Sequence, residues 1–386
     1  VHGGTMLTGQ SDTVIIGAGP AGLALGASLR RKHVPFVMLE RNGRVGSSWA
    51  GHYDRLHLHT PKGLSSLPYR PYPADYPRYP SRDQVLRYLE GYAREFDLRP
   101  EFGEEVRDCS HDGAGWKIVT TVGVRHARFV IVASGFNRTP TVPAWPGQSS
   151  FPGPILHSRD YVNGVGFAGQ RVLVVGFGNS GAEIALDLAE SGAVPAIAVR
   201  GGVNVTPRDV LGLPVTLIAL ASRHLPPRVA DATNALTIRL AVGNLADVGL
   251  TKHRDGPFVQ IAQRRRVPVI DVGTLAAIRR GAIGVRAGIA SFDGSEIVFA
   301  DGKRERFDAV VLATGFTPGL AAIFRAHPAV LNVDGNPTAY GREASVPGLY
   351  FCGFNVVPTG LLREAGIEAR AIASDIARKR ETRVSA

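Results

Sequence analysis

Cysteine is nearly absent. The 386 residues contain two, Cys109 and Cys352, and no CxxC. A disulfide scaffold, a dithiol redox pair and a Cys-rich metal site are thereby excluded, no metal is expected, and a reducing compartment fits. Long hydrophobic runs are missing too. The longest apolar patch, residues 210–221, is broken by Pro214 and falls well short of the roughly 20 residues that span a bilayer. The opening Val1-His-Gly-Gly-Thr-Met6 has neither an apolar signal core nor an Arg-rich amphipathic presequence. A cytoplasmic protein without integral membrane association is therefore expected. There is no GxSxG elbow, which leaves hydrolase chemistry without support.

Acidic residues are in the minority, 33 against 44 Lys and Arg, for a formal charge of +11. The basic residues are dispersed, with clusters only at Arg264-Arg265-Arg266 and Lys379-Arg380. Neither cluster sits among aromatics on a nucleic-acid module, so a solvated basic surface that favours anionic cofactors is the reading, and nucleic acid is not an expected partner. Hydrophobic content of 44% and charged content of 20% are globular values, and the length suits two domains.

What the chain has in quantity is glycine, 46 residues, much of it placed directly after apolar runs. Thr13-Val-Ile-Ile16 leads into Gly17-Ala-Gly19-Pro20-Ala21-Gly22 and then a Leu/Ala-rich helical stretch. Strand, glycine turn and helix in that order make a dinucleotide cradle. Gly17 permits the tight turn, Gly19 lets the backbone approach a pyrophosphate, and Gly22 lets helix pack on strand. The next strand ends at Glu40, followed by Arg41, with Glu40 lying 18 residues past Gly22. A carboxylate there accepts from ribose hydroxyls and repels a 2′-phosphate, which suits FAD or NAD.

The pattern recurs. Arg171-Val-Leu-Val-Val175 leads into Gly176-Phe-Gly178-Asn179-Ser180-Gly181, a helix carrying Glu183, and a strand ending at Arg200, 19 residues past Gly181. A guanidinium in that place suits a 2′-phosphate by charge and planar geometry. The economical assignment is FAD on the first cradle and NADPH on the second, one accepting the hydride that the other delivers. Phe129-Val-Ile-Val-Ala133-Ser-Gly135 and Ala309-Val-Val-Leu-Ala313-Thr314-Gly315 are two further apolar strands ending in a small-small-Gly turn. They read as the crossing points where the chain leaves and re-enters the first domain. The expected fold class is α/β with two Rossmann-like domains. FAD binds residues 1–165 and 305–386, and an NADPH domain, 166–304, is inserted with helices at about 205–260. Those helices read as packing, with an apolar substrate pocket or a homodimer surface as the minority alternatives.

Several segments carry a family resemblance. Phe151-Pro-Gly153-Pro-Ile-Leu-His157-Ser-Arg-Asp-Tyr161 reads FxGxxxHxxxY, immediately before the second cradle. Gly46-Ser-Ser48-Trp49, Tyr53 to Lys62, Val205 to Gly212, Asp271 to Arg279, and Gly348 to Gly353 with Gly360-Leu361-Leu362 follow in matching order. The chain resembles the class B flavin-dependent monooxygenases, and among them the plant YUCCA-type indole-3-pyruvate monooxygenases. The likeness runs from about Thr13 to Ala377. One departure is the stretch from Gly353 to Gly360, two residues longer than the YUCCA-type pattern, which bears on the substrate and not on the flavin.

The resemblance implies a flavin-contacting set of Gly46, Ser48, Trp49, His59, Val106, Ala133, Gly135, Gly353 and Leu361. It implies that NADPH reduces FAD, that O2 adds at flavin C4a, and that the peroxyflavin oxygenates a small organic substrate. An indole-3-pyruvate-like 2-keto acid undergoing oxidative decarboxylation is the leading substrate. S- or N-oxygenation of a soft heteroatom, and an NADPH-dependent flavoprotein reductase without oxygen insertion, are the alternatives. His59 is the candidate catalytic residue, a hydrogen-bond donor at the flavin face. Without the resemblance it reads equally as one of the histidines of a loop or strand edge. Lys62 reads as a phosphate or carboxylate anchor or, more commonly, as an exposed loop lysine. His157 shapes the interdomain linker, and Cys352 is a small core residue.

Overall fold

The structure is a computed structural model that describes residues 12–384. The opening hexapeptide read for targeting lies outside the described residues. Two parallel sheets with ten strands between them organise the described residues. In order the strands are β1 (Thr13–Ile16), β2 (Val37–Glu40), β3 (Glu101–Phe102), β4 (Phe129–Val132), β5 (Ile155–His157), β6 (Arg171–Val175), β7 (Val194–Val199), β8 (Gly284–Ala287), β9 (Ala309–Leu312) and β10 (Leu349–Phe351). The helices that matter most are α1 (Pro20–Arg30), α2 (Asn179–Glu190) and α3 (Leu361–Val384).

Two five-stranded sheets result, ordered β10-β4-β1-β2-β3 and β8-β7-β6-β9-β5. Every neighbouring pair is parallel. Strands β1, β4 and β9 are buried along their whole length. This is the fate of continuous Val/Ile/Leu runs in a sheet covered on both faces. Helix α1 is buried from Ala21 to Leu29, wedged between its sheet and α3. Each sheet also carries a three-stranded antiparallel meander, 106–127 in the first unit and 289–306 in the second. Trp116 lies fully buried in the first.

The two-cradle α/β architecture is as expected. Its expected edges at 165 and 305 are not where the strand pairing puts them. Strand β5 pairs with β9, and β9 pairs with β6, so both belong to the second sheet. Ala309–Leu312 is therefore no re-entry into the first unit; the chain returns with β10, which pairs with β4. The reason is steric. Each glycine turn leans on the last carbonyl of a small-small-Gly strand, Ala133 beside Gly17 and Ala313 beside Gly176, so each sheet needs its own copy.

The segment after β7 is helical as expected, with helices Val215–Ala221, Pro227–Val242 and Pro257–Arg264. A strand, Val205–Pro207, pairs in parallel with Val269–Asp271 beneath them. Among the described residues no helix is long and apolar enough to cross a membrane.

A Cβ added at Gly22 meets the Gly17 carbonyl oxygen at 1.9 Å, whereas one at Gly19 meets nothing within 4 Å. Gly22→Ala is expected to destabilise the fold by about 1–3 kcal/mol and Gly19→Ala to leave it unchanged. Denaturant unfolding of both variants checks this; equal stability for the two would remove the packing argument.

Candidate active site

A cavity of about 970 Å³ opens at the carboxyl end of the first sheet and extends under the helices of residues 215–264. The first cradle supplies Gly17, Gly19, Pro20, Ala21, Glu40 and Arg41 to its wall. The loops and strand ends beyond it add Ser48, Trp49, His59, Val106, Ala133, Gly135, Gly353 and Leu361. The structure thus brings together residues spread over more than 300 positions. Two of the expected set stand behind this wall. Gly22 packs on the turn, and Gly46 donates its N–H to the Ala18 carbonyl at 3.1 Å.

The two cradles are the same device. Gly17 and Gly176 have φ of +109° and +107°, and a Cβ on either lands 2.7 or 2.6 Å from the Ala133 or Ala313 carbonyl oxygen. Gly19 and Gly178 face open space at the N-termini of α1 and α2, where a backbone can approach a pyrophosphate. The residues present therefore fit a dinucleotide at each helix start. Glu40 is buried at the end of β2. Its carboxylate accepts from the N–H of Ala18 at 2.9 Å and from the N–H and Nδ2 of Asn42 at 3.0 Å each.

The second-cradle residues are distributed differently. Asn179 lines the large cavity, but its side chain is engaged, Oδ1 accepting from the Ile270 N–H at 2.7 Å and Nδ2 donating to the Pro268 carbonyl at 3.3 Å. Gly176, Gly178, Ser180, Gly181, Ala313, Thr314 and Gly315 form the turn and its supporting strand end outside that wall. Arg200 is exposed at the end of β7, on a separate hollow of about 790 Å³ that also carries Arg286, Lys303 and Arg304. Those three pair with Glu305, Asp301 and Asp293 respectively. Among the described residues Arg200 has no acidic partner.

Glu183 is the clearest departure from the expected cradle set. It is 3% exposed, and its Oε1 lies 2.5 Å from His59 Nε2, a contact across 124 positions that no local pattern signals. The carboxylate thus orients the cavity-lining histidine. Burial, then Glu183, push the Tyr53 phenol well above its ordinary range, and burial holds the His52 imidazole low against the opposing pull of Glu183. His57 does not share this environment: it is exposed, with Nδ1 2.7 Å from the Arg55 carbonyl. Lys62 is neither an anion anchor nor a free loop lysine. Its Nζ donates to the carbonyls of Pro73, Ala74 and Tyr76, clamping a turn.

Cys352 is buried as expected of a core residue, and burial raises its thiol well out of the reactive range. Behind it, on α3, sits a group that sequence reasoning missed. Glu368 Oε2 accepts from the N–H of cavity-lining Gly353 at 2.6 Å, while Oε1 is buried with no partner among the described residues. Burial pushes this carboxyl up to about 7, against the Gly353 hydrogen bond. Not singled out in the sequence are Arg138 and Arg159 on the cavity wall and Thr206, Thr216 and Asn234 on its far side; none lies in either cradle, and Arg159 and Thr206 fall inside family segments without marking themselves as site residues.

The chain matches the pyridine nucleotide-disulphide oxidoreductase family over residues 14–210. It is 40% identical to the indole-3-pyruvate monooxygenase YUCCA6 of Arabidopsis thaliana, covering 94% of this chain and 89% of that protein. The indole-3-pyruvate monooxygenase YUCCA4 of Oryza sativa subsp. japonica is 39% identical over 89% of this chain and 82% of its own length. The chain belongs to the YUCCA-type flavin monooxygenases. Among solved structures, the flavin-containing monooxygenase of Stenotrophomonas maltophilia superposes with a TM-score of 0.70 at 26% identity, over 95% of this chain and 99% of that one. This flavin monooxygenase shares its fold, at 20% identity and a TM-score of 0.74, with open cyclohexanone monooxygenase, over 96% of this chain and 88% of that one.

The raised carboxyl of Glu368 has a consequence for stability. The fold favours its neutral form, so its contribution is full below the ordinary value of 4.5 and is lost as pH rises through about 7. Melting temperatures of the wild type and Glu368→Gln, compared between about pH 5 and pH 8, should diverge in favour of the variant as pH rises. A constant difference would show that Glu368 does not titrate in this window.

Proposed function

We propose that this chain is an NADPH- and O2-dependent monooxygenase that converts an indole-3-pyruvate-like 2-keto acid by oxidative decarboxylation, with FAD on the first cradle and NADPH on the second. The observation that carries the assignment is the exchange of an acid for a base between matching cradles: buried Glu40 ends β2, and exposed Arg200, with no acidic partner among the described residues, directly follows β7. The relatives named above supply the reaction class.

Bound flavin supplies hydride acceptance from the nicotinamide and reaction with dioxygen. The chain supplies binding, orientation and exclusion of water. Gly19 and Gly178 leave room for the two pyrophosphates, and the N-termini of α1 and α2 offer them partial positive charge. Glu40 accepts from ribose hydroxyls, and the Arg200 guanidinium grips a 2′-phosphate. His59 faces the cavity with its proton-bearing edge held by Glu183, so one proton is kept in the 2.5 Å Nε2–Oε1 contact. That contact fixes the ring on the cavity wall. The apolar side chains beneath the 215–264 helices keep bulk water away.

The test is turnover of the holoenzyme with NADPH, O2 and indole-3-pyruvate. The expected product is the acid shortened by one carbon, with CO2 released in step with NADPH consumed. Peroxide alone, with every 2-keto acid, thioether and amine supplied, would overturn the reading in favour of a reductase.

Arg200→Ala should raise KM for NADPH about 10- to 100-fold, the loss of a charge-assisted contact, and leave KM for NADH unchanged. Equal effects on the two nucleotides would show that Arg200 does not read the 2′-phosphate.

A further inference from the structure

Two hydroxyls on the far side of the cavity have no partner among the described residues. Thr206 is the middle residue of the strand Val205–Pro207, and Thr216 is the second residue of the helix Val215–Ala221. They are 4% and 6% exposed, their Oγ1 atoms make no hydrogen bond, and both residues line the cavity. Three other buried threonines are satisfied. Thr120 donates to the Gly123 carbonyl at 3.1 Å, Thr274 to the Ala182 carbonyl at 3.0 Å and Thr359 to the Glu364 carboxylate at 2.9 Å.

A buried hydroxyl left without a hydrogen bond is destabilising. Valine has the same shape without that cost, so two unsatisfied threonines on one cavity wall point to a ligand atom. The surroundings define the ligand. The lining residues between 206 and 270 are mostly apolar, Ile218, Ala219, Ile238, Phe258 and Ile261 among them, with Asn234 and Thr237 the other polar side chains. The described lining residues between 206 and 270 include no Lys or Arg, whereas Arg41, Arg44, Arg138 and Arg159 stand elsewhere on the wall. A carboxylate or phosphate is therefore served by the arginine side. The threonine side suits a flat, largely apolar group with a single polar ring atom.

Resting on the oxygenase reading above, we infer that Thr206 and Thr216 are specificity residues whose hydroxyls take the ring N–H of a fused aromatic substrate, seated beneath the 215–264 helices with its acid end toward the arginines. A hydroxyl oxygen accepts such a donor directly. An analogue of identical shape but lacking the N–H leaves the hydroxyls without a donor, and binds less well.

Indole and indene, which share a shape and differ in the N–H, are the probes, with binding to the oxidised holoenzyme followed by the change in flavin absorbance. Wild type should prefer indole about 3- to 10-fold, the worth of one neutral hydrogen bond. The double variant Thr206→Val/Thr216→Val should bring the ratio to about 1, with flavin content and KM for NADPH unchanged. Thr206→Ser/Thr216→Ser, which keeps both hydroxyls, should retain the preference; it also replaces the valine pair as the test if that pair fails to fold, since a serine pair with no preference then overturns the inference. Equal binding of the probes to wild type, an unchanged ratio in the valine pair, or a raised KM for NADPH in place of a changed ratio would each overturn it. The reading beneath it fails separately. An enzyme that prefers indole through these hydroxyls yet releases only peroxide is no oxygenase, and the ring-reading role stands.

Discussion

A carbonyl oxygen set against a glycine with no room for a side chain is the constraint from which this molecule is built. It occurs once where Ala133 meets Gly17 and again where Ala313 meets Gly176. Because the turn must lean on the end of the neighbouring strand, that strand ends in small residues and a glycine of positive φ, Gly135 or Gly315. The helix start is then pulled down until Gly22 and Gly181 touch the first glycine of their own turn. What remains uncovered is the middle glycine and the helix N-terminus, the one place where backbone can meet an anion closely.

Two such units yield an active site only if they are held in register, and the ties run through residues 53–82. His59 reaches Glu183 on α2, and the Tyr79 hydroxyl donates to Asp209 at 2.7 Å. Glu183 thus serves both the junction and the cavity. Its burial beside a histidine and a phenol makes the junction a polar contact in low dielectric, which specifies one arrangement more sharply than apolar packing does. The long segment 205–264 then roofs the cavity with apolar helices. The arginines of the first unit and the apolar roof of the second give the cavity two chemically unlike ends.

How far the chain could be read in advance depended on whether a feature is local. Strand, glycine turn, helix and terminal acid or base lie within about 30 residues of one another, as a βαβ unit requires, and their steric logic is visible in the letters. Lys62 shows the opposite case. A lysine near an expected anion site is indistinguishable in sequence from one whose ammonium is consumed by three carbonyls of the next turn. The edges of the units failed for a related reason. A strand ending in Ala-Thr-Gly serves whichever glycine turn it lies beside, and only pairing with β6 assigns Ala309–Leu312 to the second sheet.

The amino-acid order by itself determined the two cradles and their opposite terminal charges, because each rests on contacts between near neighbours. Folding decided which residues meet: His59 with Glu183 and Gly353 with Glu368 behind the cavity wall, and Thr206 with the helix residues that line it. Those partners stand far apart along the chain. Their meeting is set by how sheets and helices pack in space, and no periodicity of the backbone encodes it.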